Sequence, residues 1–313
     1  MGLDLLDNPI RVTWDLHGPE FCMAESDVTV VLERLLDARL FFTTLEQTPL
    51  AHPQCAEILH QLTDAGVQTL LLCDGSEFEL AQLQFTENLP ISLLINLQPF
   101  LSGQGVDEKR LAHVVETIRN HAINPGFSMT PLKSNIGSLE SLLKFCKELK
   151  IPRFKLPNIR IDDNFQQSGK GQVLGPDDLE AVRRNLPDIR SLVEDIDLEI
   201  HDLFLWELLT PESEGGRSEY GGCQAGNSLA HVTYDGSVLP CVTWPEPLGS
   251  LLSQSFSDIW SSAKRHAIRQ QVADKPEGCV KCRDYQLCFG GCRGLSSVLD
   301  IDGGLDPMCS GSR

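Results

Sequence analysis

Four cysteines fall within fourteen residues near the end of the chain, in the segment CVKCRDYQLCFGGC (279–292). Thiolates two or three residues apart can reach the same metal centre, and glycines such as Gly290 and Gly291 let the backbone pass close to it. Three more cysteines lie nearby, so seven of the eleven in the chain fall in its last 91 residues. The seven are Cys223, Cys241, Cys279, Cys282, Cys288, Cys292 and Cys309. This pattern predicts that the carboxy-terminal part of the chain folds around a metal group.

The cysteine count and the start of the chain bear on the kind of group. MGLDLLDNPIRV (1–12) lacks the basic start and apolar core of a signal peptide, and no apolar run reaches the roughly 20 residues of a membrane span, so we expect a cytoplasmic protein. An odd number of cysteines in a reducing compartment argues against disulfides. A single zinc site needs four ligands, which leaves three of the seven unused. Iron–sulfur clusters are therefore favoured, with a structural zinc site as the alternative.

Residues 9–209 alternate between strand-like and helix-like patterns. The predicted strands are 10–16, 40–45, 67–73, 91–97, 126–132, 153–159 and 197–204. The first helix has an apolar face that starts at Val28, and Ser26 or Asp27 is predicted to cap it. This alternation predicts an α/β fold, a parallel sheet with crossover helices in an open, partial (β/α)6 TIM-like barrel. Its functional face would lie at the carboxyl ends of the strands.

The composition of the sequence changes after Thr210. PESEGGRSEYGG (211–222) is polar and rich in glycine, as a linker would be. We therefore predict two domains, a barrel over 1–210 and a small cysteine-rich domain over 211–313. The net charge of −18 argues against nucleic acid or an acidic membrane surface as a partner.

The cysteine region resembles the SPASM domain, a carboxy-terminal extension of radical SAM enzymes that mature peptides and proteins. The resemblance rests on the C-x12-G-x4-C and C-x2-C-x5-C-x3-C spacings, on LGSLLSQSFSDIW (248–260), and on the final DPMC (306–309). It implies two auxiliary iron–sulfur clusters of the [4Fe–4S] type. The implied ligands are Cys223, Cys241 and Cys292 for the first cluster and Cys279, Cys282, Cys288 and Cys309 for the second.

The first of these ligand sets is one thiolate short. Several SPASM domains have a further cysteine a few residues earlier, whereas residues 211–222 contain none. The resemblance therefore leaves an open iron, a ligand such as Glu219 or Tyr220, or a smaller cluster.

The amino-terminal half resembles a radical SAM barrel that has lost its chemistry. The family carries C-x3-C-x2-C after the first strand, where this chain has Cys22 alone. Its Gly-Gly-Glu-Pro motif corresponds to EQTPL (46–50), which keeps only Pro49. An alternative is an unorthodox site at which Cys22, Cys55 and Cys73 converge, although free cysteines are usually small core residues. Cys146 is predicted to be such a core residue.

The resemblance implies a non-radical partner protein rather than an independent enzyme. This chain resembles the SPASM-only companion component of the GeoRSP peptide-modification system, because both have a SPASM domain without a SAM-binding cluster. The implied partners are a radical SAM/SPASM enzyme and its peptide substrate or peptide chaperone, and the implied roles are electron transfer or substrate positioning. We predict no catalytic residue and no SAM binding. The alternatives are a divergent radical SAM peptide-modifying enzyme and a structural zinc scaffold.

Overall fold

The computed structural model describes residues 5–18, 21–102, 105–162, 164–184, 186–193, 195–210 and 221–311. These residues contain a ten-stranded sheet and a separate two-stranded hairpin. The barrel strands, in chain order, are β1 (Arg11–Asp15), β2 (Phe42–Glu46), β3 (Gln68–Cys73), β4 (Ser92–Asn96), β7 (Gly126–Ser128), β8 (Arg153–Leu156) and β9 (Asp197–Ile200). The hairpin consists of β5 (Leu101–Ser102) and β6 (Gly105–Val106), and the later strands are β10 (Leu229–Val232), β11 (Ser237–Leu239) and β12 (Gly249–Ser250).

The large sheet has the order β12-β11-β10-β1-β2-β3-β4-β7-β8-β9. All neighbouring pairs from β10 to β9 in this order are parallel, as short strands joined by crossover helices require. Each predicted barrel strand is present with ends shifted by a few residues. The structure thus confirms the predicted α/β barrel architecture.

The helices of the described residues fall in two groups: those between the barrel strands pack against the outside of the sheet, and the later ones belong to the cysteine-rich region. They are α1 (Glu25–Asp37), α2 (Cys55–Asp64), α3 (Glu77–Leu80), α4 (Glu108–Arg119), α5 (Leu139–Leu149), α6 (Pro176–Arg184), α7 (Leu186–Val193), α8 (Leu203–Leu209), α9 (Phe256–Trp260), α10 (Ala263–Ala273), α11 (Tyr285–Cys288) and α12 (Arg293–Leu299). In α1, Val28 and Leu35 are buried on the face that the sequence predicts. The predicted cap of α1 is wrong: the N-cap residue is Ala24, and Ser26 and Asp27 lie in the first turn. The acidic residues Glu25 and Asp27 in that turn stabilise the helix instead, because their negative charges lie near the positive end of the helix dipole.

Side chains on β1 alternate between two environments. Val12 and Trp14 are fully buried toward the helices, whereas Arg11 and Thr13 line the interior of the barrel. The same alternation places Thr44 of β2 inside the barrel. Because successive side chains of a strand point to opposite faces, the apolar residues form the outer core and the polar ones line the lumen.

The cysteine-rich region is joined to the barrel through the sheet itself. β10 pairs in parallel with β1, with Arg11 opposite Leu229 and Trp14 opposite Val232. β11 and β12 then extend the sheet by antiparallel pairing. The division into two domains at residue 210 stays a prediction. One sheet contains strands from both sides of that residue. Among the described residues, none of the helices combines the length and apolar character needed to cross a bilayer.

Candidate metal centres

Cys223, Cys241 and Cys292 lie in the wall of one cavity of about 720 Å³. Cys223 precedes β10, Cys241 follows β11, and Cys292 is the N-cap residue of α12, so three separate elements deliver the three thiols. The Thr243 hydroxyl lies between two of them, 3.1 Å from Cys241 Sγ and 3.5 Å from Cys292 Sγ. The same cavity is lined by the carboxyl ends of the barrel strands, so this cysteine group faces the barrel lumen.

Burial makes two of these thiols, Cys241 and Cys292, poor acids. Burial, together with the charge of the neighbouring Cys223, raises the pKa of Cys241 to about 12. Burial also raises the pKa of Cys292, with the charges of Cys223 and Asp306 acting in the same direction. Thiolates held together in a desolvated site need a positive group between them, since each one destabilises its neighbours. This arrangement suits a metal centre.

Cys279, Cys282, Cys288 and Cys309 surround a second, smaller cavity of about 180 Å³. Cys279 and Cys282 belong to consecutive turns, with a backbone hydrogen bond of 3.0 Å from Cys282 N to Cys279 O. Cys288 is the last residue of α11. Burial raises the pKa of Cys279, and the charges of Cys288, Cys309 and Cys282 raise it further, which places the four sulfurs in one neighbourhood.

A tight turn carries the chain from the second cysteine group to the first. Phe289, Gly290 and Gly291 all have positive φ, at 50°, 84° and 67°. A Cβ atom on Gly291 would lie 2.5 Å from the Asp306 carboxylate, so no larger residue fits there. This turn allows Cys288 and Cys292, four residues apart, to line different cavities.

Asp306, the first residue of the DPMC (306–309) ending, links the two cysteine groups. One of its carboxylate oxygens accepts a 2.7 Å hydrogen bond from Cys292 N, and the other accepts a 2.8 Å bond from Met308 N. Met308 is next to Cys309, so one side chain orders the backbone of a cysteine in each group. Burial, together with the charge of Asp202, raises the pKa of Asp306 to about 8.

The spacing of the sulfurs discriminates between zinc and a larger group. A tetrahedral zinc ion with bonds of about 2.3 Å holds its thiolates about 3.8 Å apart. Over the described part of the chain, Cys73, Asp74 and Glu79 form the one group of three possible ligands whose atoms lie within 4.8 Å of one another. No three of the carboxy-terminal cysteine sulfurs meet that limit, so they enclose more space than one zinc ion fills. A polynuclear cluster fits this donor set better.

The Cys73, Asp74 and Glu79 group is explained by the loop that it stabilises. Glu79 is fully buried and accepts hydrogen bonds from Asp74 N at 2.7 Å and Leu50 N at 3.3 Å. Burial raises its pKa to about 7. Burial also holds the pKa of Cys73 far above its usual range, which is unfavourable for a thiolate ligand.

The remaining cysteines do not resemble the two carboxy-terminal groups. The Cys22 side chain is exposed, and the backbone of Cys22 forms an isolated β-bridge with the backbone of His17 in the loop after β1. Cys55 and Cys73 lie in the hydrophobic core, where the charge of Glu79 affects both thiols. Cys146 is likewise a core residue of α5, as predicted. The structure therefore places Cys22 in a different environment from Cys55 and Cys73.

An ion-pair network, which the sequence did not indicate, occupies the carboxyl ends of β1 and β2. The Arg160 guanidinium donates to Asp15 and to Glu46, the last residues of these two strands. His231 of β10 lies 3.1 Å from the same Asp15 oxygen. Burial would raise the pKa of Asp15, but His231 and Arg160 hold it below its usual value. The positively charged Arg160 side chain thus bridges the carboxyl ends of the two strands.

Comparison with known proteins finds a similarity for part of the cysteine-rich region. Residues 223–283 match the family model SPASM, described as an iron-sulfur cluster-binding domain. The AdoMet-dependent heme synthase of Methanosarcina barkeri (strain Fusaro / DSM 804) is 23% identical over 275 residues, covering 78% of this chain and 74% of that protein.

Solved structures share the fold of nearly the whole chain. Streptococcus suis SuiB bound to S-adenosylmethionine has a TM-score of 0.73 at 15% identity, covering 98% of this chain and 78% of that chain. SuiB bound to the precursor peptide SuiA gives the same TM-score and identity, covering 98% of this chain and 76% of that one. anSMEcpe with bound AdoMet has a TM-score of 0.68 at 16% identity, covering 96% of this chain and 93% of that chain. The chain therefore shares the α/β barrel fold of these solved structures, and its residues 223–283 are similar to SPASM iron-sulfur cluster-binding domains.

Proposed function

We propose that this chain is an iron–sulfur protein that serves a radical SAM enzyme as a non-radical partner in peptide or protein modification. One contrast supports the proposal. The cysteine groups of the SPASM region are complete enough to hold clusters, whereas the loop after β1 offers the single exposed Cys22. A SAM-cleaving cluster needs three thiolates in that loop, because its fourth iron binds the SAM amino acid moiety.

We assign two clusters of the [4Fe–4S] type to the two cysteine groups. Cys223, Cys241 and Cys292 would hold the first, and Cys279, Cys282, Cys288 and Cys309 would hold the second. When bound, such clusters supply one-electron transfer at potentials set by hydrogen bonds and burial. The chain's own contribution is to orient the ligands through Thr243 and Asp306.

The first cluster has three assigned cysteines and an adjoining cavity. Glu219 and Tyr220, the alternative fourth ligands, lie outside the described residues. Because the three thiols line the large cavity, a group entering the barrel lumen would reach this cluster. We therefore assign substrate positioning to the first cluster and electron exchange to the second, whose cysteines line a separate and smaller cavity.

The proposed partner is a radical SAM/SPASM enzyme acting on a peptide, as in the GeoRSP system. The structural similarity to SuiB, a protein solved with its precursor peptide, supports a peptide as the substrate class.

Metal analysis and partner capture test this proposal together. The full chain is purified and reconstituted without oxygen, and iron, sulfide and zinc are measured per chain. We expect about eight irons with matching sulfide, or about six if the first cluster is a two-iron one. Zinc in place of iron would favour the structural scaffold.

The second part separates a partner from an enzyme. We expect the reconstituted chain to co-purify with the radical SAM protein of its own system and to release no 5′-deoxyadenosine from SAM under reducing conditions. About twelve irons together with SAM cleavage would establish the divergent enzyme instead. Failure to capture the radical SAM protein would contradict the partner role.

A further inference from the structure

The barrel lumen contains a row of polar side chains that neither cysteine group uses. Asn96, Ser128 and Lys155 occupy neighbouring strands β4, β7 and β8, and the strand register places them side by side. All three line the cavity of about 720 Å³. Lys155 is only 6% exposed, so its long side chain is enclosed by protein and ends in the cavity.

These side chains present hydrogen-bond donors to the cavity. The Asn96 oxygen already accepts from Gln98 N at 3.1 Å, which leaves its NH2 group to face the lumen. Across the described residues, the one partner of Lys155 Nζ is Glu199 Oε1 at 3.5 Å, longer than a normal hydrogen bond. An ammonium group has three donors, so at least two remain for a ligand.

The charge around Lys155 is not balanced. Arg11 NH1 lies 3.1 Å from the same Glu199 oxygen, and His201 Nε2 lies 2.9 Å from it. Two permanent cations thus share one carboxylate, which leaves one positive charge uncompensated. Burial would raise the pKa of Glu199, but His201, Lys155 and Arg11 hold it well below its usual range, so this carboxylate is ionised.

Three acidic residues line the cavity, namely Glu46, Asp162 and Asp202. Glu46 is bound to Arg160. Asp202 is the N-cap residue of α8 and accepts a 2.9 Å hydrogen bond from Leu205 N, and Asp162 accepts a 2.9 Å hydrogen bond from Phe165 N. Among the described residues, Glu199 is the one carboxylate within salt-bridge distance of Lys155 Nζ.

We propose that Lys155, with Asn96 and Ser128, forms a binding site for a carboxylate group inside the barrel. One uncompensated positive charge matches one carboxylate, whereas a phosphate would bring a second negative charge. A side chain or terminus carrying a carboxylate would bind here while the rest of the ligand extends toward Cys223 and Cys241 in the same cavity. The site goes beyond the partner role, because it needs no second protein to be detected.

Binding of two nearly isosteric probes tests the site on the reconstituted full chain. The probes are N-acetyl-glutamate α-amide, which carries one carboxylate, and N-acetyl-glutamine α-amide, which carries none. We expect saturation-transfer NMR titrations to give a dissociation constant roughly tenfold lower for the charged probe, as one charge-assisted interaction implies. Equal affinities would overturn the proposal.

Variants locate the binding to this row. In Lys155→Met we expect the preference for the charged probe to fall to within about twofold, whereas Lys144→Met, a substitution on the exposed face of α5, keeps it. Should Lys155→Met not fold, Ser128→Ala replaces it, with an expected loss of severalfold in affinity for the charged probe alone. A full preference retained in these variants would contradict the assignment. Stronger displacement of the charged probe by inorganic phosphate than by acetate would contradict the carboxylate class.

Discussion

The two halves of this chain use cysteine in different ways. The seven carboxy-terminal cysteines line two cavities, and neighbouring thiol charges raise the pKa values of several of them. The barrel cysteines Cys55, Cys73 and Cys146 are instead enclosed by apolar side chains, and Cys22 is exposed. Burial alone accounts for the raised pKa of Cys146, since no charged neighbour contributes.

This difference shows that a buried cysteine is informative only through its neighbours. The same residue type packs as a small apolar side chain in the barrel and as a candidate ligand in the SPASM region. The barrel keeps the fold of the solved structures it resembles, and some of its buried charged residues, such as Arg160 with Asp15 and Glu46, pair with one another. The predictions test whether the carboxy-terminal part binds metal while the barrel is stabilised by its own internal ion pairs.

Removal of two cysteines from the second group gives the largest expected effect. In the Cys279→Ala/Cys282→Ala variant, we expect iron content to fall by about four atoms per chain, because two of four ligands are lost. Iron analysis and the visible absorption spectrum measure this loss. Cys146→Ala is the matched control, and we expect it to keep its full iron content.

Two results would remove the contrast between the halves. Unchanged iron in the double variant would show that these cysteines are not ligands. An equal loss of iron in Cys146→Ala would show that iron content follows general stability rather than ligation.

Local patterns made much of the fold predictable. Strands such as β3 and β4 have apolar runs of the right length with clear boundaries. The division of the cysteines into two ligand sets came from the family resemblance and stays a prediction, and the two sets line different cavities. The cap of α1 was missed because the sequence offers Ser26 and Asp27 within three residues of the Ala24 that takes the position. Such boundaries depend on how the preceding loop leaves the sheet.

The polar networks could not be predicted, because their members are far apart in the sequence. Arg160 is 145 residues from Asp15 and 114 residues from Glu46. No local pattern records that pairing, and a lone arginine in a loop reads as a surface residue. The pairing of β10 with β1 was missed for the same reason, since a glycine-rich segment suggested a separate domain.

Loss of Arg160 is the next largest expected effect, and it tests whether the barrel depends on its internal ion pairs. Arg160→Met leaves Asp15 and Glu46 without their cation, and Asp15 is almost fully buried. We expect a loss of about 3–5 kcal/mol in the free energy of unfolding, as for other buried pairs with one partner removed. Chemical denaturation measures the loss.

Arg153→Met provides the control for this variant. Its pair with Asp197 is solvent-exposed, so we expect a change below about 1 kcal/mol. Similar losses in the free energy of unfolding of the two variants would mean that the network at the ends of β1 and β2 stabilises the fold no more than an exposed ion pair does. A loss confined to Arg160→Met, with full iron content, would sharpen the separation between the two halves.

The smallest expected effect concerns the pH dependence of the barrel. Burial raises the pKa of Glu79 from 4.5 to about 7, so the folded chain binds this proton more tightly than the unfolded chain does. Stability from this group is therefore fully present below pH 4.5 and falls as the pH rises to about 7, by about 3 kcal/mol in total. Glu79→Gln cannot ionise and escapes this loss. We expect the variant to gain stability relative to the native chain as the pH rises through this window, measured by denaturation at a series of pH values. Glu77→Gln, at the start of the same helix, is the control. A difference between the native and Glu79→Gln chains that does not vary with pH would show that the pKa of Glu79 is the same in the folded and unfolded chains.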